Sequence, residues 1–417
     1  MIRNRSRNRH RPRRGVTAAL AAFALLVPTV AACGGDGSPS RGPASASGRE
    51  AGLSLPRPSG PHSIGRDTLH LVDTSRRDVW VPSSGARELM VSVFYPALRG
   101  GGARAPYLAD KEAELLLKGQ QLDKRIGAER VAAVRTNARP GARPVKGRHP
   151  LVVLSPGFTL HRATLTGLAE ELASQGYLVA LVDHAYESFG TKFPGAGGQS
   201  SRIRTCVACE QVEKAPHGNS GENKVLVKAA RNRAADMSFV IDALSKGAHL
   251  GDGPHPDYAA LIDPRQIGAA GHSLGGNASA VAMGTDRRIR AAANLDGSFF
   301  APVPTAGTGR PVLMLGSRKG HDPRADDASW PRAWRSLHGW KRWLTVAGSG
   351  HLTFTDLPVL GGQVGMTDRS APLSGERSGQ ITAGYVTAFF DQHLRDRRRS
   401  LLEGPSKANP EVAFHSP

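Results

Sequence analysis

Short runs of apolar residues alternate with longer amphipathic segments along most of this chain. A continuous apolar run is typical of a strand buried on both faces, and a 3.6-residue repeat of apolar positions is typical of a helix. The strand–helix–strand order predicts an α/β fold with a mostly parallel sheet and right-handed crossovers, in which the first two strands pair antiparallel. The predicted strands are 69–73, 89–96, 150–155, 177–184, 266–270, 289–296, 311–317 and 343–347, and the predicted helices are 111–135, 163–175, 225–244, 275–284 and 378–394.

The N-terminal segment breaks this pattern and predicts export. Seven arginines and no acid precede residue 33, and the apolar run at 15–27 ends in small residues and is too short to span a bilayer comfortably. We therefore expect a signal peptide over 1–32. Cys33 follows two alanines and resembles the lipidated cysteine of a bacterial lipobox, which predicts anchoring to the outer side of the cytoplasmic membrane. Ordinary cleavage with secretion is the alternative, and Arg13-Arg14 is weak evidence for twin-arginine export.

The remaining organisation follows from composition. Residues 33–61 are rich in Gly, Ser, Pro and Ala and predict a flexible tether. Residues 62–400 predict a single α/β domain, and 401–417 a C-terminal tail. The formal net charge is +20, but no aromatic-basic pattern or nucleic-acid motif accompanies it. We therefore expect a membrane surface as a partner and no nucleic acid.

The segment 186–222 is rich in Gly, Ser and charge, and predicts a cap-like insertion over the site. It contains Cys206 and Cys209, and a local disulfide is the favoured interpretation outside the cytoplasm. A three-ligand metal site with His217 is the alternative, whereas a four-cysteine zinc site is excluded because only one pair exists.

Residues 271–276, Gly-His-Ser-Leu-Gly-Gly, carry the strongest chemical signal. The G-x-S-x-G pattern places a serine on a sharp strand-to-helix turn, and here a predicted strand precedes Ser273 and a predicted helix follows it. Glycines two positions away on either side relieve the crowding of that turn. Ser273 is therefore the predicted nucleophile, against the alternative of an incidental serine in a glycine-rich loop.

A serine nucleophile needs a base and an acid that orients the base. In this topology both are expected just after later strands, in the order Ser, Asp, His. His351 follows the last predicted strand in Gly-Ser-Gly-His and is the predicted base. Asp296 ends a strand in Leu-Asp-Gly and is the favoured acid, and Asp322, after the next strand, is the alternative.

An oxyanion hole needs two backbone N–H groups aimed at the developing charge. The residue after the nucleophile, Leu274, supplies one of them. Phe158, in Ser-Pro-Gly-Phe after the strand at 150–155, is the predicted second donor, because Gly157 lets the backbone approach closely. A plain strand-ending turn is the alternative reading of that loop.

Together these segments resemble the plasma-type platelet-activating-factor acetylhydrolase branch of the α/β-hydrolases and related bacterial secreted lipases. The matching pieces lie at 89–96, 154–158, 178–184, 271–276, 295–297 and 350–351. The resemblance implies an α/β-hydrolase fold, Asp296 rather than Asp322 as the acid, and Phe158 and Leu274 as oxyanion donors. It also implies lipid or short-acyl esters as substrates. Pro156-Gly157 replaces the His-Gly often found in the family.

The sequence thus predicts a serine ester hydrolase that works through an acyl-enzyme and needs no metal or cofactor. Two alternatives use the same scaffold. One is a catalytically silent lipoprotein that binds a ligand, and the other is a peptidase or acyltransferase with the same triad.

Overall fold

The computed structural model describes residues 52–195, 200–216, 220–248, 250 and 255–417. Within these residues, one large sheet of ten strands carries the fold, and a two-stranded ribbon stands apart from it. The strands are β1 (Ser63–Arg77), β2 (Ala86–Ala97), β3 (Arg139–Pro140), β4 (His149–Ser155), β5 (Leu178–His184), β6 (Thr191–Phe193), β7 (Arg202–Arg204), β8 (Ile262–His272), β9 (Ile289–Leu295), β10 (Val312–Ser317), β11 (Lys341–Val346) and β12 (Val412–His415). The helices are α1 (Asp110–Gly119), α2 (Ala128–Ala132), α3 (Thr166–Ser174), α4 (Val207–Glu213), α5 (Ser220–Lys246), α6 (Tyr258–Leu261), α7 (Leu274–Thr285), α8 (Arg318–His321), α9 (Ser329–Ser336), α10 (Leu357–Gln363) and α11 (Gly375–Leu394).

The large sheet has the order β12-β11-β10-β9-β8-β4-β5-β2-β1-β3. Its central six strands, from β11 to β5, are parallel, whereas β2 runs antiparallel to β5 and to β1. The predicted antiparallel opening pair and the mostly parallel sheet are therefore confirmed. Because the parallel strands point the same way, the loops after β4, β8, β9 and β11 meet at one edge of the sheet.

Helices cover both faces of the sheet. Along β4, Leu151 and Val153 pack into one core with α5 and α7, while Val152 and Leu154 pack into a second core with α3 and α11. Because both faces of the central strands are buried, these strands are continuous apolar runs in the sequence.

One predicted helix was wrong. Residues 111–135 form two helices, α1 and α2, and Gln121 between them has a left-handed φ of 57°. Gly119 ends α1 against the ring of Phe189, where a Cβ would overlap the ring. Both helices pack into the same small core, so the apolar positions continue across the break between them.

The two ends of the domain are also more ordered than composition suggests. Leu53 and Leu55, within the expected tether 33–61, are buried, and the backbone on either side of Ser54 hydrogen-bonds to Arg135. In the expected tail 401–417, β12 pairs antiparallel with β11 at the edge of the sheet. Both segments are short, and their ordering comes from tertiary partners and not from a pattern of their own.

The predicted insertion 186–222 contains β6, β7 and α4 in its described part. Its first residues run beside the loop after β4, where Thr159 and Ser188 form a bridge. A disulfide joins Cys206 and Cys209 at the beginning of α4. His217 and Cys33 lie outside the described residues.

Candidate active site

Ser273 lies on the sharp turn between β8 and α7. Its backbone has φ 54° and ψ −126°, a conformation that costs a non-glycine residue about 1–3 kcal/mol. The turn is pressed against the end of β4: a Cβ on Gly275 would overlap the Ser155 carbonyl oxygen, and one on Gly271 would overlap Gly275. The glycines predicted to relieve this crowding therefore do so, and the turn holds the Ser273 side chain at the end of the sheet.

His351 lies at the end of the loop after β11 and accepts or donates at both ring nitrogens. Its Nε2 is 3.0 Å from Ser273 Oγ, and its Nδ1 is 2.7 Å from Asp296 Oδ2. About half of the His351 side chain (49%) is exposed, so the serine–histidine pair is open to solvent. The His351 carbonyl oxygen accepts a 2.7 Å hydrogen bond from His272 Nε2, which anchors the histidine loop to the end of β8.

Asp296 follows β9 directly and is almost fully buried, with 2% of its surface exposed. The Ser317 N–H donates to its Oδ1 over 2.5 Å, so both carboxylate oxygens are engaged. Burial alone would raise the pKa of Asp296, but the His321 charge and the His351 hydrogen bond hold it well below its usual range. The group is therefore a carboxylate at neutral pH.

Asp322, the alternative acid, is directed elsewhere. Its carboxylate accepts a hydrogen bond from the Arg324 N–H at the end of α8. Between the two carboxylates that the sequence left open, the one that contacts His351 in the structure is Asp296.

Phe158 and Leu274, the predicted oxyanion donors, follow β4 and β8, whose ends are neighbours in the sheet. Within the described ranges, neither backbone N–H donates to another protein group. Gly157 is tightly enclosed, since a Cβ there would lie 2.7 Å from His272 Nδ1. Because neither the Phe158 nor the Leu274 N–H has a partner among the described residues, both amides remain available to a ligand at the end of the sheet.

A buried arginine fixes the loop that carries Phe158. Arg233, on α5, donates from Nη1 to the Pro156 carbonyl oxygen over 2.6 Å and from Nε to Glu187 Oε2 over 2.6 Å. The Glu187 carbonyl oxygen in turn accepts from the Thr159 N–H over 3.0 Å. Arg233 therefore holds the Pro156–Gly157 peptide unit before Phe158, and the Glu187 backbone holds the Phe158–Thr159 unit after it.

Arg87 extends this network through two further buried ion pairs. Arg87 bonds Asp78 and Asp236 over 2.8 and 2.7 Å, and both Arg87 and Asp236 are fully buried. Asp236 also accepts from His184 Nδ1, and His184 Nε2 is 2.9 Å from the Ser155 hydroxyl at the end of β4. The charges under the loop that carries Phe158 are thus paired rather than isolated, as buried charges must be.

Sequence reasoning did not find these supporting residues. Arg87 and Asp236 are 149 positions apart, so no local pattern pairs them. His272 stands inside the serine motif, but the sequence assigned it no role of its own. Burial and the nearby His351 ring lower the pKa of His272 to about 3, so it is neutral and serves as a fixed support.

The described part of the chain has no group of three or more His, Cys, Asp or Glu side chains arranged to hold a metal ion. None of its helices combines the length and the apolar character of a transmembrane span.

Comparison with known proteins identifies the class. The chain is 42% identical to a ferulic acid esterase from Streptomyces cinnamoneus, whose structure superposes with a TM-score of 0.73 and covers 88% of this chain and 100% of that one. It is 28% identical to a probable 1-alkyl-2-acetylglycerophosphocholine esterase of Arthroderma benhamiae, over 86% of this chain and 93% of the relative. It is 22% identical to a platelet-activating factor acetylhydrolase of Gallus gallus, over 86% and 89%. The protein is a carboxylic ester hydrolase with the α/β-hydrolase fold, as the sequence predicts.

The family follows from a further match. Residues 47–246 and 256–395 match the profile of the family described as "Platelet-activating factor acetylhydrolase, isoform II". Since this match covers most of the chain, the protein belongs to that family, and the predicted resemblance is confirmed.

Proposed function

We propose that this enzyme hydrolyses esters through an acyl-enzyme formed on Ser273. The observation that carries the proposal is the hydrogen-bonded series from Ser273 Oγ through His351 to the buried carboxylate of Asp296, with distances of 3.0 and 2.7 Å. A serine hydroxyl becomes a nucleophile when a neutral imidazole takes its proton, and a carboxylate behind the ring orients it and stabilises the imidazolium.

The reaction runs in two halves. Ser273 Oγ attacks the ester carbonyl while His351 Nε2 takes the serine proton, and the N–H groups of Phe158 and Leu274 stabilise the oxyanion. When the C–O bond of the ester breaks, His351 returns the proton to the departing alcohol. Water then attacks the acyl-enzyme with His351 as base, which releases the carboxylic acid and restores Ser273.

The proposed substrates are short-acyl esters of lipid alcohols. The family description and the printed names of two relatives support this class: one name specifies a 1-alkyl-2-acetylglycerophosphocholine esterase, and the other, like the family description, an acetylhydrolase of platelet-activating factor. Esters of ferulic acid are a second candidate, favoured by the 42% identity to the Streptomyces esterase. An ester panel separates the two: p-nitrophenyl acetate, butyrate and octanoate, 2-acetyl glycerophosphocholine, and methyl ferulate. The highest kcat/KM on an acetyl or butyryl ester supports the first class, and the highest value on methyl ferulate replaces it with the second.

The location is a separate part of the proposal. The enzyme is exported and held on the outer side of the cytoplasmic membrane through a lipid on Cys33. The lipobox-like sequence before Cys33 supports this. Mass spectrometry of the mature protein from its host tests it: a diacylglyceryl-modified Cys33 at the N-terminus is expected, and an unmodified N-terminus at another residue contradicts anchoring.

The chemistry is tested by replacing the nucleophile. Ser273→Ala should lower kcat by at least about 10³-fold, because the remaining catalysis comes only from the oxyanion hole and binding. Ser279→Ala, on the same helix, is the control, since its hydroxyl donates only to the Gly275 carbonyl oxygen. Binding of esters without turnover by the wild type would favour a silent ligand-binding protein. Faster transfer of the acyl group to an added alcohol or amine than to water would favour an acyltransferase, and faster cleavage of peptides than of esters a peptidase.

A further inference from the structure

A second histidine lies behind the acid of the proposed triad. His321, the last residue of α8, has its Nε2 3.4 Å from Asp296 Oδ1, on the opposite side of the carboxylate from His351. Its Nδ1 is 3.3 Å from Asp327 Oδ2. The imidazole therefore faces two carboxylates, one with each nitrogen, and only its doubly protonated form presents an N–H to both.

This ring is held in a slot built for it. It stacks on Trp330 at 4.2 Å between ring centroids and 10° between planes, and a Cβ on Gly316 would lie 2.9 Å from the imidazole. The His321 backbone is fixed as well, because its carbonyl oxygen accepts from the Trp343 indole N–H over 2.7 Å. The ring therefore has little freedom to turn away from Asp296.

The outer carboxylate is fixed from its own side. Asp327 accepts hydrogen bonds from the Ser298 hydroxyl over 2.8 Å and from the Ser329 N–H over 2.7 Å. Among the described residues, the titratable groups that face His321 are thus Asp296 and Asp327. His351 lies beyond Asp296, and its ring is tilted by 44° against that of neutral His272, at 4.7 Å between centroids.

The charge on His321 follows from these neighbours. Its side chain is buried, with 6% exposed, and burial lowers the pKa of an imidazole, but the charges of Asp296 and Asp327 outweigh that effect and raise the pKa of His321 above its usual value. The ring therefore holds its second proton to higher pH than an ordinary imidazole and carries a positive charge at acidic pH.

We propose that His321 is a positioning residue for the triad: it holds the outer oxygen of Asp296, and its positive charge opposes protonation of His351. The proposal rests on the function proposed for Ser273, His351 and Asp296. A fixed positive charge on the far side of a shared carboxylate makes a second positive charge on the near side less favourable. Loss of the charge on His321 should therefore make ester hydrolysis more sensitive to acid.

The test is the pH profile of kcat/KM for His321→Gln, whose amide can donate to Asp296 from the position of Nε2 but carries no charge. The acidic limb should move to higher pH by about one unit, the order of effect expected when one nearby charge is removed from a partly buried site. Asp322→Asn is the matched control, because Asp322 is the next residue but contacts only the Arg324 N–H. The acidic limb of the Asp322→Asn profile should lie at the same pH as in the wild type.

A purely structural role for His321 gives a different result. Loss of packing lowers kcat/KM by the same factor at every pH and leaves the limb in place, and that outcome overturns the proposal. If His321→Gln does not fold, ¹⁵N-histidine NMR of the wild type decides: both nitrogens of His321 should be protonated at pH 6, and a neutral ring at that pH contradicts the charge. Activity retained by Ser273→Ala would instead refute the proposed function, and the protonation state of His321 remains measurable in that case.

Discussion

Arg233→Met removes the charged group that fixes the loop carrying Phe158, the proposed oxyanion donor, and keeps most of the side-chain volume. In the wild type the guanidinium is 1% exposed and bonds both Glu187 Oε2 and the Pro156 carbonyl oxygen, each over 2.6 Å. The variant leaves the Glu187 carboxylate buried without its main cation and leaves the Pro156 carbonyl without a side-chain donor.

The stability cost follows from the partners that remain. Breaking a buried ion pair by removing one member costs about 3–5 kcal/mol. Glu187 keeps the Trp80 indole N–H at 2.8 Å, the Asn232 amide at 3.2 Å and the Arg87 guanidinium at 3.4 Å. We therefore expect the low end, about 3 kcal/mol, which lowers the Tm of a domain of this size by on the order of 5 °C.

The catalytic cost follows from the same contacts. Deleting an oxyanion donor lowers kcat by about 10²–10³-fold. Arg233→Met keeps the Phe158 N–H but frees the peptide units beside it, so a smaller loss, about 10-fold in kcat with little change in KM, is expected on this scale. The assays are thermal unfolding and steady-state hydrolysis of p-nitrophenyl acetate.

Arg231→Met is the matched control, because Arg231 is on the same helix and exposed. It should change neither kcat nor stability beyond about 0.5 kcal/mol. A lowered Tm with unchanged kcat would show that Arg233 supports the fold but does not position the loop. No change in either quantity would refute the ion-pair reasoning altogether.

Three further changes test other parts of the site. Asp296→Asn should lower kcat about 10³–10⁴-fold and Asp322→Asn by less than twofold; similar losses in the ester assay would contradict the choice of acid. Gly275→Ala places a Cβ 2.5 Å from the Pro156 carbonyl oxygen, so we expect lost activity and a Tm lowered by several degrees, and a variant with wild-type kcat would show that the turn is not crowded. Burial alone would raise the pKa of Asp183, but the charges of His161 and Arg162 lower it to about 2. Because the folded pKa is depressed, its stabilisation of about 2 kcal/mol is present above pH 4 and lost as the pH falls towards 2. Acid titration of unfolding should therefore be flatter in that window for Asp183→Asn, and an unchanged curve would contradict the assignment.

The central sheet and the serine turn could be predicted because their signals are local. The strand and helix around Ser273 differ sharply in pattern, and Asp296 and His351 each follow a strand whose end lies at the same edge of the sheet. Parallel topology then brings residues 78 positions apart into contact without any pairwise signal.

The supporting residues could not be predicted because their partners are set by tertiary packing. Glu187 lies 46 positions before Arg233, and no sequence pattern near Arg233 predicts that the two residues pair. The sequence drew attention to Asp322, whereas the neighbouring His321 is the residue that contacts Asp296. A shift of one residue along a short helix decides which side chain enters the core, and a pattern of polar residues does not contain that information.

Labelling with a fluorophosphonate tests the central claim most directly, because the probe reacts only with a serine that a neighbouring base activates. The account predicts one phosphonate per chain, mapped by peptide mass spectrometry to Ser273, with loss of ester hydrolysis in proportion to labelling and no labelling of Ser273→Ala. Complete inactivation with the label on another residue, or full ester hydrolysis by Ser273→Ala, would contradict it.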